Sequence, residues 1–317
     1  MSNTTNYPML IVNGLYLTIS PPTIAGAVLI LLAVLKTPTL RSRKEILMVC
    51  AQSTAYGLYS CGYLTGGLKE LILTYTNRAG SLMHPFYCLF DVSMFFYYIG
   101  PLASGLLNFC SGLDRIIMVT SLKHYNSINR SFSVAIIIVA YSVSIGFFVL
   151  TLKLTADVDS EYRVTAFCST SFFLPVWHTS LFQATIFVSE TGSVVLYIAL
   201  VLVYRRKRAK QHDSVKSANY AIQMRLTYTM TIVVGTNLSL YIAPFLTLTA
   251  LQLLKIDVPL ISVVYRLLWI SIGVNNLFNI VTYLYRIKDI NTEVKKLLCW
   301  KDSTHVVSLV SGTGVGA

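Results

Sequence analysis

The chain has few charged residues for its length. Aspartate, glutamate, lysine and arginine together make up 12% of its 317 residues, whereas 55% of the residues are hydrophobic. A soluble globular domain has about 25% charged residues. Folded in water, this chain would have too little polar sequence to cover its surface, so the composition favours a membrane protein.

The sequence also lacks the usual marks of an enzyme. Its six cysteines and five histidines have no spacing typical of a metal site. It contains neither a glycine-rich phosphate-binding loop nor the spacing of a catalytic triad. We therefore expect no enzymatic activity, no cofactor and no bound metal.

Seven long apolar runs are present instead, each longer than the roughly 20 residues that a helix needs to cross a bilayer. They lie near residues 10–35, 46–74, 86–113, 132–153, 174–203, 226–252 and 258–285. The sequence thus predicts an all-α membrane protein, a seven-transmembrane helix bundle over residues 10–285 that follows an extracellular N-terminus over 1–9.

The basic residues are distributed unevenly between the two sides of this bundle. With the N-terminus outside, nineteen of the 25 lysines and arginines fall on the cytoplasmic side and six fall outside. This asymmetry follows the positive-inside rule and predicts a cytoplasmic C-terminus. Attraction to acidic inner-leaflet lipids accounts for the net charge of +12, so membrane lipids are expected partners and nucleic acid is not.

The two ends of the chain carry candidate modification sites. Asn3 begins an Asn-Thr-Thr glycosylation pattern on the outer side, although a three-residue pattern is weak by itself. Residues 286–300 repeat apolar residues at a helical period and predict an amphipathic helix on the membrane surface. Cys299 near its end is a candidate for palmitoylation, with a free thiol as the alternative. We expect residues 301–317 to form a disordered cytoplasmic tail.

Asp114 and Arg115 place two opposite charges at the inner end of the third run. Charges at this depth are costly and usually functional, although the pair also fits a simple marker of the membrane boundary. Pro244 interrupts the sixth run. It removes a backbone hydrogen bond and can bend the helix, either as a moving hinge or as a static kink.

Five features together carry a resemblance to a known family. They are the outer-side cysteines Cys88 and Cys168, the pair Asp114-Arg115, the loop sequence Lys123-His124-Tyr125, Pro244, and Asn279-Ile280-Val281-Thr282-Tyr283 in the seventh run. In these positions they resemble the rhodopsin-like seven-helix G-protein-coupled receptors. Among those the chain resembles the nematode serpentine chemoreceptors, of the Srsx type.

The sequence departs from the rhodopsin-like pattern in informative places. Ala27 stands where helix one of the family has Asn, and Thr54 or Ala55 stands where helix two has Asp. We therefore expect the family's central sodium-binding network to be missing. Ile280 replaces the proline of the helix-seven motif, a loss that fits a divergent chemoreceptor.

The resemblance implies a chemosensory receptor of odorant type in the plasma membrane, with the membrane of a sensory cilium as one option. Such a receptor binds a small molecule or peptide from outside and activates a heterotrimeric G protein. A small multi-span transporter or channel is the alternative. Apart from residues at the membrane boundary, only Asp91 and Glu190 offer the intramembrane charges that a transport path needs, and no internal repeat is visible.

The resemblance also implies roles for particular residues. It implies a disulfide between Cys88 and Cys168. It implies a coupling switch made of Asp114, Arg115, Tyr125, Tyr197, Pro244, Asn279 and Tyr283. The basic segment 205–210 is expected to contact either the G protein or acidic lipids.

The same architecture places a ligand pocket between the outer halves of the helices. The residues expected to line it are Tyr97, Tyr98, Tyr265 and Trp269, with Asp91 and Arg266 nearer the mouth. An aromatic, weakly charged pocket favours a small, mostly apolar odorant, and aromatic residues that face lipid are the alternative. A cationic ligand would need Asp91 as its counter-ion.

Overall fold

The structure is a computed structural model of the full chain. It describes residues 7–76, 78, 80–121, 125, 130–158, 162–166, 174–210, 218–253 and 258–298. Within these ranges, the side chains at 7–10, 204–205, 207–210, 218–226, 252–253 and 258–266 are not described.

Seven long helices form the bundle, which confirms the predicted fold class. They are helix one Tyr7–Lys36, helix two Lys44–Tyr75, helix three Val92–Thr120, helix four Arg130–Ala156, helix five Val176–Lys210, helix six and helix seven Val258–Arg286. Helix six has three parts, namely the α-helix Ala218–Asn237, the π-helix Leu238–Ile242 and the α-helix Ala243–Leu253. Short helices cover Pro38–Arg41, Pro85–Leu89 and Lys288–Leu298.

Six of the long helices have described segments that are long and apolar enough to cross a membrane, and helix two is the exception. Helix two packs between helices one and three and buries polar residues such as Gln52 and Ser53 against them. It also carries charged residues near both of its ends. Its low hydropathy therefore reflects a surface that meets protein more than lipid.

Helix three begins and ends later than the predicted run 86–113. The run starts with the separate short helix Pro85–Leu89, and Asp91 then caps the long helix by accepting a hydrogen bond from the Ser93 amide at 2.9 Å. An acidic N-cap favours a helix start. The helix continues past Asp114 and Arg115, which pair with each other, to Thr120.

The outer loops are joined by a small sheet. The strands Leu82–Met83 and Val164–Thr165 pair antiparallel, and this pairing connects the segment before helix three to the loop between helices four and five. Cys88 is completely buried beside this sheet and is disulfide-bonded. Its predicted partner Cys168 lies outside the described residues, so the pairing remains a prediction.

The amphipathic helix Lys288–Leu298 lies within the predicted segment 286–300. Ile290 and Val294 are buried in the inner apolar core, as expected for a helix with one apolar face. Two polar contacts join the helix to the first inner loop. Arg43 pairs with Asp289 at 2.5 Å, and the Thr37 hydroxyl donates to Glu293 at 3.2 Å.

Helices two and three approach closely at Gly100. A β-carbon placed on Gly100 would lie 2.6 Å from the backbone nitrogen of Tyr59 and 2.7 Å from its α-carbon. Nonbonded carbon atoms pack best at about 3.5–4.0 Å. Only a glycine therefore allows this approach, which is the usual role of small residues between membrane helices.

We expect Gly100→Ala to separate these helices and to destabilise the receptor by about 1–3 kcal/mol, the usual cost of overpacking a core. Gly146 in helix four offers a matched control, because a β-carbon there meets no atom within 4 Å. Alanine at Gly146 should leave stability unchanged or raise it slightly. Thermal unfolding of both purified variants measures the difference, and equal melting temperatures would argue against the close approach.

Candidate functional site

The inner end of helix three holds a buried cluster of charges around Arg115. Arg115 is 3% exposed and Asp114 is 7% exposed. The Arg115 guanidinium donates to the Asp114 carboxylate at 2.5 Å and to the Tyr125 hydroxyl at 2.9 Å. The arginine therefore has both a counter-charge and a neutral partner, as a buried guanidinium requires.

Tyr125 brings the second inner loop into this cluster. Its hydroxyl lies 3.2 Å from Glu45 on helix two and 3.3 Å from Asp114, and its single proton can be donated to one carboxylate at a time. Lys44 donates to the Tyr125 carbonyl at 2.6 Å and lies 3.4 Å from the centre of its ring. One tyrosine thus joins Arg115 to helix two.

The centre of the bundle holds a second polar cluster, around Glu190 on helix five. Its carboxylate accepts from the Asn108 amide on helix three at 3.1 and 3.2 Å, and from the Asn237 amide on helix six at 3.1 Å. All three residues are at least nine-tenths buried. The Glu190 carboxylate therefore connects helices three, five and six.

The polar network continues into helix seven. Asn275 and Asn279 both donate to the Asn237 side-chain oxygen, at 2.7 and 3.1 Å. The hydroxyl of Tyr283 donates to Gln52 on helix two at 2.9 Å. Asn279 and Tyr283, which the helix-seven motif singled out, thus hold helix seven to helices six and two.

This network occupies the centre of the bundle, where the family's sodium-binding network was expected to be missing. The Asn and Asp that the family carries in helices one and two are absent, and Ala27 and Ala55 are buried. The carboxylate at the centre comes instead from Glu190. From the sequence, Glu190 was predicted only as an intramembrane charge, and Gln52, Asn108 and Asn237 were not predicted as site residues. The signal was their polarity within apolar runs.

Helix six changes its hydrogen-bonding pattern just before Pro244. The π-helix Leu238–Ile242 begins directly after Asn237. Proline lacks a backbone N–H and crowds the carbonyl four residues earlier, and a widened π-turn accommodates that carbonyl. The irregular part of helix six therefore lies beside Asn237, the residue that donates to Glu190.

A cavity of about 390 Å³ lies in the outer half of the bundle. Its walls come from helices two, three, five, six and seven and include Tyr59, Tyr97, Pro101, Gln183, Ile186, Phe187, Tyr241, Phe245, Trp269 and Ile272. Tyr97 and Trp269 stand 5.5 Å apart between ring centres, and Phe187 stacks on Phe245 at 5.0 Å. The walls are thus largely aromatic.

The predicted pocket residues with described side chains do not all line the cavity. Tyr97 and Trp269 line the cavity. The ring of Tyr98 instead packs among aromatic residues of helices four and five, 4.7 Å from the Phe182 ring. Tyr265 and Arg266 have side chains outside the described part of the chain. The cavity residues that helices two, five and six contribute were not predicted from the sequence.

Asp91 lies at the outer end of helix three, where it pairs with Lys69 of helix two at 2.6 Å. Partial burial tends to raise the pKa of Asp91. The hydrogen bonds from Lys69 and the Ser93 amide, with the charge of Lys69, outweigh burial and hold this pKa below its ordinary value. Asp91 is therefore neutralised by Lys69 and is not among the cavity residues.

Other predicted site residues have simpler surroundings. Tyr197 on helix five is 3% exposed, and its hydroxyl is one of the buried polar atoms without a hydrogen-bond partner among the residues that the structure covers. Asn3, Lys123, His124 and Cys299 lie outside the described residues, so their predicted roles remain predictions.

Seven helices enclosing an outer cavity, with a buried Asp-Arg pair at the inner end of helix three, define the seven-helix G-protein-coupled receptor class. The chain matches the sequence model of one family in this class, the serpentine type 7TM GPCR chemoreceptor Srsx, over residues 22–298. It belongs to that family. A search of curated proteins found no match.

The family assignment confirms the resemblance seen in the sequence. The protein is a multi-pass membrane receptor of a chemosensory family, for which an extracellular ligand and coupling to a G protein are general properties. The family is not enzymatic. The transporter or channel alternative is therefore set aside.

Proposed function

We propose that the aromatic cavity binds a small, mostly apolar ligand from outside and that Arg115 transmits this binding to a heterotrimeric G protein. The observation that carries the proposal is the placement of both sites on helix three. Tyr97 lines the cavity and Arg115 lies eighteen residues further along, a distance of about 27 Å at 1.5 Å per residue. One continuous helix therefore joins the two sites.

The cavity supports a neutral ligand. Its volume of about 390 Å³ falls within the range of small-molecule sites, roughly 300–1,000 Å³. Its described walls carry no charged side chain, and the polar ones are few, including Ser180, Gln183 and Thr249. A small odorant with one or two hydrogen-bonding groups fits this lining better than a cation does.

The inner cluster supports a switch. In the arrangement described, Asp114 and Tyr125 occupy the Arg115 guanidinium, so its planar donor fork is not free to bind another protein. Outward movement of helix six about the π-helix Leu238–Ile242 would open the inner end of the bundle. Arg115 would then bind backbone carbonyls of an inserted G-protein helix.

The orientation and membrane contacts of the receptor follow from charge. We propose a plasma-membrane receptor with its N-terminus outside and its C-terminus in the cytoplasm, which the positive-inside asymmetry supports, and with the membrane of a sensory cilium as one option. We propose that Cys88 and Cys168 form the outer disulfide, that Asn3 is glycosylated and that Cys299 is palmitoylated. We also propose that the basic segment 205–210 contacts either the G protein or acidic lipids.

An odorant panel applied to cells that express the receptor, with G-protein activation as the readout, tests this function. Once an agonist is found, Trp269→Ala should weaken its potency about 10-fold or more, because a buried aromatic contact is lost. Tyr97→Ala should act in the same direction. Surface expression is measured for each variant, so that a loss of potency is not confused with a loss of receptor.

Tyr285→Ala is a matched control, since Tyr285 is 79% exposed at the inner end of helix seven. This variant should respond as the parent does. If Tyr97→Ala and Trp269→Ala both left the concentration response unshifted, the ligand would bind elsewhere.

A further inference from the structure

We propose that Glu190 is a proton-binding site in the centre of the bundle. While ionised, its carboxylate clamps helix six to helices three and five, and when protonated it releases helix six. The consequence for signalling rests on the proposed function, whereas the proton binding and the movement of helix six do not. External acidification is therefore expected to favour the active state.

The hydrogen bond from Asn108 of helix three to Glu190 has a defined direction. The Asn108 side-chain oxygen already accepts from the Gln52 amide at 3.0 Å and from the Tyr56 hydroxyl at 3.2 Å. Its amide group must therefore face the other way, toward Glu190, where it lies 3.1 and 3.2 Å from the two carboxylate oxygens. Asn108 therefore offers Glu190 its amide hydrogens and not its oxygen.

Asn237 of helix six is oriented in the same way, with its amide group toward Glu190. The Asn237 side-chain oxygen accepts from Asn275 and Asn279 of helix seven. This leaves the Asn237 amide to donate to Glu190 at 3.1 Å. An ionised carboxylate can only accept hydrogen bonds, whereas a protonated one carries a donor. The network thus matches the anion, and a proton on Glu190 would face amide hydrogens.

The Glu190 carboxylate has no counter-charge among the described side chains. No lysine, arginine or histidine forms an ion pair with Glu190 among the described side chains. The titratable groups that interact with it are the phenols Tyr56 of helix two, Tyr241 of helix six and Tyr283 of helix seven. An anion without a cation is costly in a membrane interior, so proton uptake competes with the amide hydrogen bonds.

The hydrogen bond between Asn237 and Glu190 acts next to the π-helix of helix six. Asn237 directly precedes the π-helix Leu238–Ile242. When hydronium transfers its proton to Glu190 Oε2, one O–H bond breaks in hydronium and one forms on the carboxyl, and Oε2 then loses the hydrogen bond that it accepts from the Asn237 amide. Helix six is then free to bend at the π-helix.

The cavity offers a route for the proton. Ile186 lines the cavity one helical turn above Glu190, and Pro101 lines it one turn above Gly105. A β-carbon placed on Gly105 would lie 3.6 Å from a Glu190 oxygen. The glycine thus leaves space on the side of the carboxylate that faces helix three.

Infrared spectroscopy of the purified receptor in lipid nanodiscs tests the proton site without a G protein. As the pH falls from about 8 to about 5, a range above the ordinary titration of glutamate near 4.3, a protonated-carboxyl band should grow. The band should be absent in Glu190→Gln. Asp157→Asn, at an exposed acid, should keep it. Spectra of Glu190→Gln that match the parent at every pH would overturn the proposal.

The movement of helix six is measured separately, by the distance between spin labels at Thr120→Cys and Met224→Cys. Acid should lengthen this distance in the parent, and Glu190→Gln should lengthen it at every pH. A distance that responds neither to acid nor to Glu190→Gln would refute the clamp.

A double variant distinguishes loss of the clamp from misfolding of Glu190→Gln. In Glu190→Gln with Asn237→Asp, the amide introduced at 190 donates to the carboxylate introduced at 237, which still accepts from Asn275 and Asn279. The distance between the two spin labels should return to its short value. In cells, Glu190→Gln should raise basal G-protein activation about 5- to 10-fold, the size of an ordinary allosteric coupling, and the double variant should restore it. Failure of the double variant to restore either quantity would contradict the clamp.

The two proposals can fail separately. One result would support the proton clamp and count against the proposed coupling. In it, Glu190→Gln lacks the infrared band and acid moves helix six in the parent, but neither the parent nor any variant gives a G-protein signal.

Discussion

Replacing Arg115 with alanine should abolish agonist-stimulated G-protein activation while the receptor still reaches the cell surface. In the proposed mechanism Arg115 is the residue that leaves the inner cluster and binds the G protein. Alanine removes every donor of the guanidinium, so the interaction has no substitute. We expect a loss of at least about 100-fold in agonist-dependent activation, matching about 3 kcal/mol for hydrogen bonds to a charged group.

Alanine at this position also carries a structural cost. Asp114 is buried against the guanidinium, and removing one partner of a buried ion pair typically costs about 3–5 kcal/mol. Arg115→Lys separates the two effects. Lysine keeps the positive charge beside Asp114 but lacks the planar fork that binds two acceptors at once. It should preserve surface delivery and still lose most coupling.

G-protein activation and surface expression are measured for each variant. Arg78→Ala is the control, because it removes an exposed arginine on the outer side and should change neither quantity. If Arg115→Lys coupled as strongly as the parent, the charge alone would be enough. If Arg115→Ala also coupled normally, the Asp-Arg pair would mark only the membrane boundary.

The fold could be predicted from the sequence because lipid imposes a simple demand. A segment that crosses the hydrocarbon layer must satisfy its backbone internally and be apolar over about 20 residues, and that demand is visible in composition alone. The ends of the helices are less predictable. Helix five runs on to Lys210 through basic residues, because a helix that leaves the membrane no longer needs apolar side chains.

The candidate site could be predicted only where its residues are adjacent or belong to a motif. Asp114 and Arg115 are neighbours, so their ion pair is visible in the sequence. The contact of Arg115 with Tyr125, and that of Tyr125 with Glu45, join a loop to two helices. Tertiary packing creates such contacts, and no local pattern encodes them.

The central network shows the same limit more strongly. Gln52 and Tyr283 are hydrogen-bonded although they are 231 residues apart in the chain. Within apolar runs, Gln52, Asn108 and Asn237 are visible as unusual polar residues, which is a sound reason to expect partners. Which partner each one finds depends on how the helices rotate against each other.

Replacing Asp114 with asparagine should have the second-largest effect, in the opposite direction. The Asp114 carboxylate is the direct counter-charge of Arg115 in the inner cluster. Asparagine keeps the size of the side chain but removes its charge, so the resting arrangement loses a charge-assisted bond worth about 1.5–3 kcal/mol. The equilibrium should shift toward the active state by about 10- to 100-fold, seen as high G-protein activation without ligand.

Tyr125→Phe should act in the same direction with a smaller effect. It removes one hydroxyl that Arg115 contacts at 2.9 Å and keeps the ring that lies beneath Lys44. The loss of one such hydrogen bond should raise basal activation about 5-fold, corresponding to about 1 kcal/mol. Because both variants weaken the hold on the same guanidinium, their combined effect should be less than the product of the two.

Asp289→Asn is the matched control for these variants. Asp289 is also paired with an arginine on the inner side, but its side chain is 51% exposed. Exposed ion pairs contribute about 0–1 kcal/mol, and this one joins the amphipathic helix to the first inner loop rather than restraining Arg115. Its basal activation should therefore stay close to that of the parent. The same rise in Asp289→Asn and Asp114→Asn would indicate a general loss of inner-surface charge, and no rise in Asp114→Asn would mean that Asp114 does not restrain Arg115.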